Sequence, residues 1–142
     1  MASELKVNTL TGVSTAGSIA VTGEGNSTTT NLQQGLAKGW VNFDQNTPAI
    51  EDSFNTSSLT DTSTGRGSLN WTNVMSNTIY ATPSICSYVS ASNPYAVTLV
   101  DDHLYNNKTA SKFGFSSTYS SSSTTSFFDP DRGQVSVLGD LA

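Results

Sequence analysis

The chain has 142 residues, a net charge of −5 and only 12% charged residues, about half the usual globular share of ~25%. Its six Lys and Arg residues cannot supply the dense cationic footprint of a nucleic-acid binder, and no apolar run approaches the ~20 residues of a membrane span. Polarity comes from hydroxyls and amides instead: Ser, Thr and Asn make up roughly 40% of the chain, far above average usage.

A chain of this length fits one domain, with a small appendage, that buries about two-thirds of its unfolded surface. Only 35% is apolar, so the core is small unless another chain completes it. Two Trp, six Phe and five Tyr in short alternating segments favour a folded β protein, where Thr and aromatics suit a pleated surface. The low net charge argues against disorder. The single cysteine, Cys86, cannot form an internal disulfide and reads as a buried small hydrophobe. The start, Met1-Ala2-Ser3-Glu4, lacks the basic and apolar regions of a secretory signal. Synthesis in a cytoplasm without a signal peptide is therefore expected. A hydroxyl-rich surface made there suits a virus particle that leaves by lysis.

In chain order, Leu5 and Val7 alternate with Lys6 and Asn8, and Ile19 and Val21 with Ala20 and Thr22. Both stretches read as thin strands of a hairpin, followed by a Gly/Thr-rich loop over 23–31. A lone two-stranded hairpin is marginal in water, so this one needs a partner surface. From residue 36 the apolar density rises. A core strand is expected over 36–43, a turn over 44–48, strands over 49–55 and 57–60, a hairpin loop over 61–65 with Gly65 available for positive φ, and a return strand over 67–72. Further strands are expected over 78–82, 85–89, 95–100 and 134–138, and residues 112–115 lead into a hydroxyl-rich run over 116–126. Trp40, Phe43, Phe54, Leu59, Leu69 and Trp71 are the expected core. Short strands punctuated by turns predict an all-β fold: an N-terminal hairpin or extended arm with its linker over 1–35, then an antiparallel, jelly-roll-like β-sandwich over 36–142.

Chemistry-bearing constellations are weak. In an extended strand, Asp101 and His103 point one way and Asp102 the other, so Asp101-Asp102-His103 does not converge on a metal. Asp129-Pro130-Asp131 has a calcium-loop spacing without the rest of that pattern and reads as a turn. Glu51 and Asp52 are adjacent and so face opposite sides of a strand, and no Gly-x-Ser-x-Gly elbow is present. No enzymatic activity, cofactor or metal is expected. Tyr88, Tyr95, Tyr105 and Tyr119 sit among Ser, Asn and Thr, the company that adaptable recognition surfaces keep, and form the expected surface-recognition set; the commoner arrangement for such residues is to cap a core edge with the hydroxyl in water.

The stretch Gly35-Leu36-Ala37-Lys38-Gly39-Trp40-Val41-Asn42-Phe43, the stretch from Ala49 to Asp61, then Thr64-Gly65, Asn70-Trp71-Thr72 and Met75 together resemble tail-fibre-like virion proteins of marine and aquatic tailed bacteriophages. The opening Leu5-Lys6-Val7-Asn8-Thr9-Leu10 and the closing Val135-Ser136-Val137-Leu138-Gly139-Asp140 are similar to the ends of such proteins. The run from Ile79 to Phe128 lies outside the likeness. The resemblance implies a homotrimeric virion component, anchored by its N-terminal end to other tail or major capsid proteins and presenting its C-terminal domain to a host surface glycan or protein. Leu5, Val7, Leu10, Ile19 and Val21 would then be interchain core. Two other readings stand beside this one: a capsid decoration or cement protein stabilising the head shell, and a carbohydrate-binding module.

Overall fold

The structure, a computed structural model, describes residues 4–12, 19–22, 29–87, 96–104, 106–120 and 124–141. The chain divides into two compact units, Met1–Leu36 and Ala37–Ala142.

In the first unit, β1 (Ala20–Thr22) pairs antiparallel with β2 (Thr29–Asn31), Val21 opposite Thr30. The Leu32 amide donates to the Ile19 carbonyl at 2.8 Å, and a single helical turn, α1 (Leu32–Gly35), follows. This corrects the expected hairpin. Residues 4–12 form no regular strand, and the partner of the 19–22 stretch is the Thr-rich segment expected to be a loop. Thr is β-branched and pairs well across strands, so Thr29-Thr30 can form a ladder without any apolar marker.

The second unit is all-β and antiparallel, with a sandwich-like arrangement of two sheets. One sheet has the order β4 (Ala49–Phe54), β3 (Gly39–Asp44), β11 (Arg132–Val137), β7 (Ser84–Ser87). The other is built on β9 (Lys112–Ser120). β8 (Ala96–Asp101) pairs along it, as do β6 (Arg66–Trp71) and β10 (Thr125–Phe127), with β5 (Thr56–Ser63) outside β6. β6 pairs with residues 112–116 of β9 and β10 with residues 118–120, so these two short strands divide the length of one long one. Their junction is the Gly65 turn at φ +69°, where a Cβ would come within 2.8 Å of Phe127 and of the Phe128 backbone. The buried Ser117 hydroxyl completes the junction by donating to the Phe128 carbonyl at 2.7 Å. The hydroxyl-rich run is therefore strand as far as Ser120, with a return strand at 125–127.

Strand alternation fills the space between the sheets. β3 sends Val41 and Phe43 inward and β11 sends Val135 and Val137; Leu69, Trp71, Leu99, Phe113 and Phe115 meet them from the facing sheet. Phe43 and Phe115 touch across the gap with ring centroids 5.1 Å apart. Trp71 Nε1 donates to the Tyr80 hydroxyl at 3.2 Å, and that hydroxyl's own proton serves the carbonyls of Lys112 (2.7 Å) and Thr109 (2.9 Å). Tyr80 lies where a strand was expected over 78–82. Its neighbour Ala81 makes only an isolated bridge, to Leu138.

The single residue Asn55, at φ +60°, carries the chain from β4 in one sheet to β5 in the other. Asn is among the few side chains that accept this left-handed conformation. Its Nδ2 donates to the carbonyls of Lys38 (2.9 Å) and Asn73 (3.0 Å), and its Oδ1 accepts from the Asn73 amide at 2.6 Å.

Of the expected core, Phe43, Leu69 and Trp71 are fully buried and Leu59 packs against them half-buried. Trp40 and Phe54 are corrections. Trp40 alternates with Val41 and is only half-buried, while Phe54 is 53% exposed. Both project from the outer face of the four-stranded sheet, because residues three apart on a strand, such as 40 and 43, face opposite ways.

Candidate surface recognition site

The acidic positions are absorbed by the fold and do not converge. Asp102 is buried beside Arg66, with Nε to Oδ2 at 3.6 Å, and Asp101 pairs with Lys108 at 3.3 Å while His103 is exposed. Asp129 Oδ1 accepts the Gly65 amide at 2.6 Å and clasps the hairpin turn, whereas Asp131 faces Asn46. Among the described residues no three His, Cys, Asp or Glu side chains gather as a metal would require. Cys86 is buried on β7, and burial pushes its thiol up to about 11, away from the thiolate a nucleophile needs.

Of the tyrosines expected at a recognition surface, Tyr88, Tyr95 and Tyr105 lie outside the described residues. Tyr119 is a correction. It shares the inward parity of Phe113 and Phe115 on β9, is half-buried, and meets Phe128 edge-on at 5.9 Å. Its ring belongs to the edge of the core.

A face of different composition lies on the outside of the four-stranded sheet. Trp40 on β3 is directly opposite Phe54 on β4 and Ser136 on β11, and directly opposed residues share a face. One step along the strands, a second row crosses the sheet as Asp52, Asn42, Gln134 and Ile85. Ile85 is 63% exposed there, because its neighbour Cys86 takes the inward position. A break in register between Asn42 and Phe43 makes Glu51 an extra residue in β4. It puts Ile50 inward opposite Phe43 while leaving Asp52 and Phe54 outward. Such bulges re-aim side chains. Two aromatic rings therefore stand beside a row of amide and carboxylate groups on the sheet, Trp40, Asn42 and Gln134 on its two central strands and Phe54 and Asp52 on the edge strand β4.

In sequence this face is signalled only by parity: Trp40, Asn42 and Asp44 alternate with Gly39, Val41 and Phe43. The bulge that brings Phe54 beside Trp40 leaves no mark in the residue pattern.

Comparison of the chain with protein-family models, with curated proteins and with solved structures yields no match.

Proposed function

We propose that this protein is a non-catalytic structural component of a tailed-bacteriophage particle: a short, fibre-like homotrimer, anchored through its N-terminal unit, whose β-sandwich is displayed outward. The observation that carries the reading is the state of that first unit. Leu5 is 80% exposed and Val21 51%, and Val7 and Leu10 are exposed too, and the described strands of this unit are a ribbon of two three-residue strands. So short a ribbon gains too little from its own contacts to order itself. Three copies about a common axis would bury these aliphatics in one another and cover the ribbon's open strand edges. The charge-poor, hydroxyl-rich composition and the phage-fibre resemblance supply the virion setting.

The same exposed arm supports a second reading, in which the aliphatics grip neighbouring capsid subunits and the chain is a cement protein. Light scattering on the purified chain separates the two. A mass three times 14.9 kDa supports the trimeric fibre. A monomer at every concentration removes it and leaves the capsid-bound arm.

A further inference from the structure

We infer that the outer face of the four-stranded sheet binds an uncharged glycan chain, with Trp40 and Phe54 as the stacking surface. The inference rests on the display reading and adds to it a site and a ligand class. A pyranose ring has one or both faces lined by C–H groups and an equatorial rim of hydroxyls. Its apolar face suits an aromatic plane, and its rim suits mixed donors and acceptors. The sheet offers both in adjacent rows: Trp40 beside Phe54, then Asp52, Asn42 and Gln134 on three consecutive strands. These strands lie about 4.8 Å apart, a spacing comparable to the width of a sugar ring. Amides both donate and accept, and a carboxylate accepts from two hydroxyls, so the row can read a sugar's rim from one side.

Size and charge narrow the occupant. Burying a whole Trp or Phe side chain removes roughly 150–250 Å² from water. With Phe54 53% exposed and Trp40 half-buried, the two rings offer less than that, well short of the ~800 Å² per partner of a stable protein–protein interface and on the scale of a single sugar ring. Asp44 and Asp52 outnumber Arg132 on this face, and the chain carries −5 overall. An anionic polymer is therefore repelled and an uncharged one is not.

The test is affinity electrophoresis of the full chain in native gels containing dextran, mannan or hydroxyethyl cellulose, with alginate as the anionic comparison. At least one neutral polymer should retard the protein and alginate should not. Trp40→Ala and Phe54→Ala should each raise the apparent dissociation constant about tenfold or more, the loss of a single good contact. Gln134→Ala should raise it less, and Tyr119→Phe should leave it unchanged. Because Phe54 and Gln134 point outward, their variants should keep the parent's denaturation midpoint. Retardation by none of the three polymers, retardation chiefly by alginate, or retardation that survives Trp40→Ala and Phe54→Ala would each overturn the inference. So would a fall in native mass on Phe54→Ala, which would make this face a contact between copies. A trimer that ignores all three polymers removes the glycan site and leaves the display reading standing.

Discussion

The two units of this chain are drawn from the same polar alphabet and solve the problem of a scarce apolar supply in opposite ways. The sandwich concentrates its large side chains: Phe43, Phe113, Phe115, Leu69 and Val137 are wholly buried. The hydroxyls and amides near them are put to work on backbone groups, as Ser117 and Asn55 show. The N-terminal unit scatters its aliphatics, so that Leu5, Val7, Leu10 and Val21 all face outward. A sheet can send alternate residues to a facing sheet and close a core from two half-apolar layers. Among the described residues of its own unit, the three-residue ribbon has no facing layer. The difference teaches that apolar content does not decide self-sufficiency here; the presence of a second layer does.

The sharpest way to break this contrast is to remove a residue on each side of it. Phe115→Ala opens a cavity against Phe43 and should cost the sandwich about 3–5 kcal/mol in urea unfolding. Val21→Ser should change that same transition by no more than ~0.5 kcal/mol while lowering the native mass. If the two substitutions destabilise the sandwich equally, the units are not distinct in this sense.

Next in size is Asn55→Ala, which strains the left-handed residue between the sheets and removes its side-chain bonds to the Lys38 carbonyl and to the Asn73 carbonyl and amide. A loss of about 2–3 kcal/mol is expected, with Asn55→Gly regaining only the conformational part.

A smaller effect should follow alkaline titration. Burial raises the Tyr80 hydroxyl to about 12 from 10.0, with the hydrogen bond from Trp71 opposing and Asp101 adding to the rise. Burial raises the Cys86 thiol to about 11 from 9.0. In both cases the folded state holds the proton more tightly than the unfolded state does. The stabilisation is complete below pH 9 and is lost as pH climbs, from 9 to 11 through Cys86 and from 10 to 12 through Tyr80. Denaturation midpoints measured against pH should therefore fall across these windows, and Cys86→Ala should flatten the lower one.

How legible all this was varies with what each element depends on. The sandwich was readable because Phe43, Leu69 and Trp71 sit in stretches where apolar density and turn residues agree. Tyr119 could have been placed inward from its parity with Phe113 and Phe115, and Trp40 outward from its parity against Phe43. Its size argued for the core, and the alternation is the stronger guide. Two features were not readable. The Glu51 bulge that aligns Phe54 with Trp40 depends on how two strands meet, and no residue in either strand announces it. The pairing of Thr29–Asn31 with Ala20–Thr22 is carried by backbone bonds and β-branched threonines, which a Thr-rich loop would also display.

The central claim, that the N-terminal unit is completed by other copies of itself, is tested most directly by the native mass of the full chain, measured by light scattering beside a variant with Leu5, Val7 and Leu10 all changed to Ser. The account predicts a mass three times 14.9 kDa for the parent and a fall toward the monomer for the variant. A parent that is monomeric throughout, or a trimer that the variant leaves intact, would contradict it.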